Sequence, residues 1–138
     1  MAEHEPFRFK TIEELRAKIA ALGLDLPLDD DVSNLREPVQ IGHLTAPNRL
    51  IVQPMEGCDG TVEGKPDALT YRRYERFGAG GAGLLWFEAT AVVPEGRANP
   101  RQLLMVEANV PSFRDLLQRT LEVAAAANGT GFRPVTVL

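Results

Sequence analysis

The chain holds one cysteine, one tryptophan and two histidines in 138 residues. A single cysteine excludes an internal disulfide and a cysteine-based metal site within the chain. A reducing cytoplasm is therefore the expected compartment. Neither His4 nor His43 has a second ligand spaced to share a metal, so both are expected at the surface and no metal residue is assigned. No run approaches the roughly 18 apolar residues of a membrane span. The N-terminus is polar and lacks the apolar core of a signal peptide. The net charge is a mild −4. No basic stripe with interleaved aromatics appears, which argues against a nucleic-acid surface.

What is present reads as helix, hairpin, then βαβαβ. Residues 1–10 form a polar arm. Thr11-Ile12-Glu13-Glu14 matches a capping box, in which Glu14 reaches back to the cap amide. Leu15, Ile19 and Leu22 recur at helical spacing, and Gly23 is the expected stop. Residues 25–37 are acidic and carry Pro27, a linker composition. Val39 to Thr45 alternates around Gly42 as a small hairpin. Leu50-Ile51-Val52 is a short buried strand closed by Pro54, followed by a glycine-rich loop, Gly57 to Gly64. Asp67 caps a helix over 68–77, with Leu69, Tyr71, Tyr74 and Phe77 as its apolar atoms and Arg72, Arg73, Glu75 and Arg76 solvated. Gly83 to Phe87 is a second strand, too apolar to be half-exposed. Pro111 suits the first turn of a third helix, whose apolar face is Phe113, Leu116, Leu117, Leu121 and Ala124. Asn128-Gly129 ends it.

The last five residues, Pro134 to Leu138, form a third apolar strand. A parallel strand needs a neighbour on each side and helices over both faces. The expectation is the front part of a larger α/β protein. A closed eight-stranded α/β barrel usually takes about 250 residues, so any barrel here is incomplete. Residues 1–37 form an arm, short helix and linker, and 38–138 the main body.

Gly78-Ala79-Gly80-Gly81-Ala82-Gly83 satisfies G-x-G-x-x-G. A dinucleotide fingerprint needs a strand before it and a helix after it. Here a helix precedes and a strand follows, so the glycines read as a helix end and tight turn. Pro54-Met55-Glu56-Gly57-Cys58 follows the first strand, the end that carries active sites in α/β barrels. A thiol there either touches a cofactor or is a small apolar residue. Glu88 ends an apolar strand. It either positions a substrate or pairs with an arginine such as Arg97 or Arg101; pairing is expected, since buried carboxylates are usually paired. Trp86 is expected in the core. Arg72, Arg73 and Arg76 read as a solvated face, also open to an oligomer contact.

The stretch Ile41-Gly42-His43-Leu44-Thr45-Ala46-Pro47-Asn48-Arg49-Leu50-Ile51-Val52-Gln53-Pro54-Met55 resembles the opening of the old yellow enzyme family, FMN-dependent (β/α)8 TIM barrels that include 2,4-dienoyl-CoA reductase-like members. Leu69-Thr70-Tyr71-Arg72-Arg73-Tyr74 through Gly80-Gly81-Ala82-Gly83-Leu84 is similar to its first helix and second strand. Glu88-Ala89-Thr90-Ala91-Val92 with Pro94-Glu95-Gly96-Arg97 is similar to its second βα loop. Phe113 to Ala125 falls at its second helix and Pro134 to Leu138 at its third strand. The resemblance covers residues 38–138, in the family's order and spacing.

The resemblance implies an α/β fold, the N-terminal portion of a TIM barrel with a hairpin closing its floor. It implies FMN as cofactor, NAD(P)H as reductant and an activated alkene as substrate: an ene-reductase type of oxidoreductase, possessing no membrane or nucleic-acid partner and free to form homo-oligomers. Pro54, Met55, Glu56 and Ala89 fall where the family contacts the flavin. A flat ring needs close main-chain groups without bulky side chains between. Cys58 stands two residues beyond the position where some members carry a redox-tuning Cys or Thr. Glu56 occupies that position, and a carboxylate there would disfavour an anionic reduced flavin, so Glu56 is expected to turn outward. The family's catalytic residues, and any iron–sulfur cluster, would lie past Leu138; no catalytic residue is assigned within the chain, which is expected to be inactive alone. Two other readings stay open: a non-catalytic barrel-fragment scaffold or assembly module, and a non-flavin TIM-barrel enzyme such as a phosphate-binding isomerase or aldolase.

Overall fold

The computed structural model describes residues 6–138, so His4 lies outside the described residues. The chain divides into two compact units, one ending at Val32 and one from Ser33 to Leu138.

In the first unit, helix α1 spans Ile12–Ala21. The Thr11 hydroxyl accepts the Glu14 amide at 3.2 Å. The return half of the capping box differs from expectation: the Glu14 carboxylate takes the Lys10 amide at 2.8 Å, one residue further out. Gly23 ends the helix with φ +63°. Its N–H reaches Ala20 O and the Leu24 N–H reaches Ile19 O, the paired bonds of a Schellman motif. No residue of α1 is fully buried.

In the second unit, β1 (Val39–Ile41) and β2 (Leu44–Ala46) form an antiparallel hairpin. His43 sits exposed in its turn. Three parallel strands follow in spatial order β3 (Ile51–Val52), β4 (Leu84–Trp86) and β5 (Val135–Val137). Helix α2 (Ala68–Ala79) joins β3 to β4, and α3 (Val110–Asn128) joins β4 to β5. Asp67 caps α2 with Thr70 completing the box, and Pro111 sits in the first turn of α3. The α/β order is the one the sequence pattern dictates.

Strand alternation decides what each face buries. Leu85 and Phe87 point to the helices and pack with Tyr74 of α2 and Leu116 of α3. The Tyr74 and Phe87 rings stack at 4.3 Å between centroids. Leu84 points the other way and meets Val135 and the hairpin's Ala46. Leu84 and Val135 are the first residues of β4 and β5, so the hairpin lies at the amino ends of the sheet. Asn48 fastens it there: its side chain accepts the Gly83 amide and donates to Gly81 O, both at 2.7 Å.

Several burial expectations are corrected, and Leu50 and Leu117 are among the residues found exposed. Trp86 is 46% exposed rather than core, because it shares Leu84's side of β4 while the helix-packed side carries Leu85 and Phe87. Ile51, on the same side of β3, is 49% exposed. Leu69 is exposed on α2, whose inward stripe is Thr70, Tyr74 and Gly78.

The glycine run is a helix end followed by a strand, as the context test requires. Gly78 lies directly against α3: a Cβ there would stand 2.5 Å from Thr120 O. The Asn128 side chain donates to Gly78 O at 3.3 Å and closes the end of α2. Among the described residues no helix is long and apolar enough to cross a membrane.

Candidate functional site

The carboxyl ends of the strands carry two loops. After β3, the Met55 amide reaches back to Gln53 O at 2.8 Å. This tight turn is centred on Pro54, whose ring holds the required φ. The loop then meets the one after β4. Gly60 N–H bonds Arg101 O at 3.0 Å and Leu104 N–H bonds Gly64 O at 2.9 Å. Arg97 binds carbonyls of both loops: Val62 O at 2.7 Å, Pro100 O at 2.6 Å and Gln102 O at 2.7 Å. The Gln102 side chain donates to Ala89 O at 3.1 Å and accepts the Ala98 amide at 2.6 Å. These loops are therefore one hydrogen-bonded layer over the strand ends.

Beneath that layer lies Glu88, with 1% of its side chain exposed. It is paired with an arginine, as expected, but the partner is Arg73 (2.6 Å) rather than Arg97 or Arg101. Arg97 is spent on carbonyls, and Arg101 reaches Asp67 at 3.1 Å. Arg73 is therefore not solvated. Its guanidinium also grips Asp59, at 2.8 and 3.2 Å. The other Glu88 oxygen accepts the Gly57 amide at 3.0 Å, and the Glu88 amide donates to the Tyr74 hydroxyl at 2.7 Å. Thr70 donates to Asp59 at 2.8 Å. Burial alone would push Asp59 up, but bonds from Arg73 and Thr70 outweigh it and hold the carboxyl below its usual range. The Arg73 guanidinium is likewise held charged by Asp59 and Glu88 despite its burial. Burial pushes the Tyr74 hydroxyl up to about 12, so it stays protonated and available for these bonds.

The signal for Arg73 was present in the sequence. Thr70, Arg73, Tyr74 and Phe77 stand at i, i+3, i+4 and i+7, one helix face. The signal for Trp86 was its alternation with Leu85 and Phe87.

A cavity of about 530 Å³ opens at these strand ends. Its wall includes Pro54, Trp86, Phe87, Glu88, Ala89 and Leu138. Pro54 follows β3, Ala89 follows β4 and Leu138 follows β5. Of the sequence-derived residues, Pro54 and Ala89 thus share one concavity. Met55 is 77% exposed beside it. Glu56 and Cys58 form a separate contact: the Cys58 thiol donates to the Glu56 carboxylate at 3.4 Å, and the Asn99 amide donates to both. Cys58 has φ +51°, rare for a residue with a side chain. Its hydrogen bond to Glu56, with some desolvation and the nearby carboxylates, pushes the thiol up. It is not an activated nucleophile. The one carboxylate on the cavity wall, Glu88, is fully engaged. The site offers apolar surface and small side chains rather than a free acid or base.

No protein-family model matches the chain. Solved structures do. Morphinone reductase in complex with tetrahydroNAD is 26% identical, with a TM-score of 0.55 over 75% of this chain. The old yellow enzyme homologue from Zymomonas mobilis is 25% identical, with a TM-score of 0.58 over 65% of the chain. The Old Yellow Enzyme from Pichia sp. AKU4542 is 22% identical, with a TM-score of 0.59 over 71%, a likeness of fold. The structural relatives are old yellow enzymes. This chain spans about a quarter of their length: 25% of the Pichia and Zymomonas old yellow enzyme chains and 26% of morphinone reductase. The α/β segment described above is thus matched to part of an old yellow enzyme barrel.

Proposed function

We propose that the chain forms the first part of a (β/α)8 barrel and supplies one wall of the FMN site in an NAD(P)H-dependent oxidoreductase of the ene-reductase type. The observation that carries this reading is that Pro54, Ala89 and Leu138, each just past the carboxyl end of a different parallel strand, line one cavity. Active sites of α/β barrels are built at that end. The hairpin at the opposite end has the place of a barrel floor, and the relatives are old yellow enzymes.

The residues suit a flat aromatic ring system. Pro54 and Ala89 bring main chain to the cavity wall without long side chains. Trp86 and Phe87 add apolar surface. Glu88 would oppose an electron-rich ring if its charge were free, but Arg73 neutralises it at 2.6 Å. The Glu56 carboxylate, held by Asn99 and Cys58, is engaged away from the cavity wall, which supports the outward reading. Met55 would join Pro54 against the cofactor. Bound FMN would supply the chemistry, accepting hydride from NAD(P)H and passing it to an activated alkene. The chain's own residues bind, orient and exclude water. None of them is placed to deliver a proton, so the chain alone is expected to be inactive.

Trp86 is the only tryptophan and lies on the cavity wall, which makes it a built-in probe. Titration with FMN is expected to quench its fluorescence weakly, with a Kd on the order of 0.1 mM or weaker. Ala89→Trp, probed by flavin fluorescence, is expected to abolish binding, and no NAD(P)H turnover should appear. Unquenched Trp86 at millimolar FMN, or binding indifferent to Ala89→Trp, would reject the site. Micromolar binding would reject the view that this wall is only part of one.

A further inference from the structure

Ala89 has no polar side chain of its own, yet it stands on the wall of the cavity. Its neighbours in the chain are anchored. The Glu88 amide donates to the Tyr74 hydroxyl at 2.7 Å, and the Ala91 amide donates to Leu103 O at 2.9 Å. The Thr90 hydroxyl donates to Glu88 O at 3.0 Å. The Ala89 carbonyl is held by a side chain 13 positions later: the Gln102 amide donates to it at 3.1 Å.

Gln102 is 6% exposed and is not among the residues of the cavity wall. Both ends of its side chain are used. The nitrogen serves Ala89 O, and the oxygen accepts the Ala98 amide at 2.6 Å. A side-chain amide carries donor and acceptor on separate atoms, so one buried residue spans two positions of the loop. The main chain of Gln102 is fixed in turn. Arg97 grips the Gln102 carbonyl twice, through Nε at 3.1 Å and a terminal nitrogen at 2.7 Å. The same guanidinium holds Val62 O and Pro100 O. The Gln102 amide closes a turn onto Asn99 O at 3.2 Å.

We propose that Gln102, locked in place by Arg97, is a positioning residue that sets where the Ala89 main chain stands against a bound ring. The proposal rests on the flavin reading of this cavity. A flat ring packed against main chain tolerates little displacement of that chain. A wall residue without an anchoring side chain must be held by bonds from elsewhere, and Gln102 supplies one. Gln102 acts on the wall through Ala89, so its contribution is geometric rather than catalytic.

Two substitutions separate this role from support of the loop alone. Gln102→Glu keeps the length and the acceptor for Ala98, but sets a carboxylate oxygen against Ala89 O. Gln102→Met keeps the length, loses both bonds and adds no charge. In the whole chain labelled with 13C and 15N, the Ala89 carbonyl resonance is expected to move in both variants. The Ala98 amide resonance should move chiefly in Gln102→Met. Arg97→Ala, which changes neither partner of the bond, should also move the Ala89 carbonyl. FMN, titrated against the Trp86 indole resonance, should bind each variant about fivefold more weakly than the natural chain, the share of one neutral hydrogen bond. Natural affinity in either Gln102 variant, or an Ala89 carbonyl indifferent to Gln102, would overturn the proposal. An Ala89 carbonyl and FMN affinity unchanged in Arg97→Ala would overturn the locking role of Arg97. Failure of the natural chain to bind FMN, with the Ala89 carbonyl still responding to Gln102, would instead reject the flavin reading and the cofactor role with it.

Discussion

Arg73 of α2 and Glu88 at the end of β4 are joined by a 2.6 Å ion pair, with the carboxylate side chain 1% exposed. The pair links helix, strand and first loop at one point, since Glu88 also holds the Gly57 amide and Arg73 holds Asp59. Removing one partner strands a buried charge. Arg73→Ala is expected to cost about 3–5 kcal/mol in urea unfolding. Glu88→Gln keeps the shape and leaves Arg73 its Asp59 partner, so about 1–2 kcal/mol is expected. Equal and negligible effects would mean the pair contributes nothing.

Acid should loosen the same cluster. The folded-state pKa of Asp59 is depressed, so its contribution is fully present above the unfolded value of about 4 and is lost as pH falls through the lower folded value. Thermal melts between neutral pH and about pH 3 should show a declining Tm at the acid end. In Asp59→Asn that decline should shrink, with a lower Tm at neutral pH.

Gly78→Ala places a methyl 2.5 Å from Thr120 O, a backbone atom that cannot rotate away. The two helices must separate, at an expected cost of about 1–3 kcal/mol. Ala79→Gly, one residue along on an exposed position, should cost no more than about 1 kcal/mol. Comparing the two by denaturant midpoint distinguishes packing from helix propensity.

Cys58 is exposed yet held in its thiol form, first by its hydrogen bond to Glu56. Alkylation by iodoacetamide near neutral pH is expected to run slower than with free cysteine, because the thiolate is the reacting form. Glu56→Gln should speed it. A rate above that of free cysteine would contradict the assignment.

Much of the architecture was legible in the residues themselves. The Gly23 stop, the Asp67 cap, Pro111 in the first turn of α3 and the helix-then-strand order around Gly78 to Gly83 are all local constraints. Each is set by a dihedral, a missing donor or a hydrophobic period within a few neighbours. Pro54 and Ala89 were also selected in sequence, through the strings that flank them.

The tertiary structure decided the rest. Glu88 found Arg73, 15 residues earlier, because a strand end and a helix face meet there while Arg97 is drawn to carbonyls. Trp86 is exposed because, among the described residues, α2 and α3 pack on the Leu85 and Phe87 face of β4 and Trp86 lies on the other. Which strands lie side by side, and which face each leaves open, depends on contacts between residues far apart in the chain. Local propensity carries no record of those contacts.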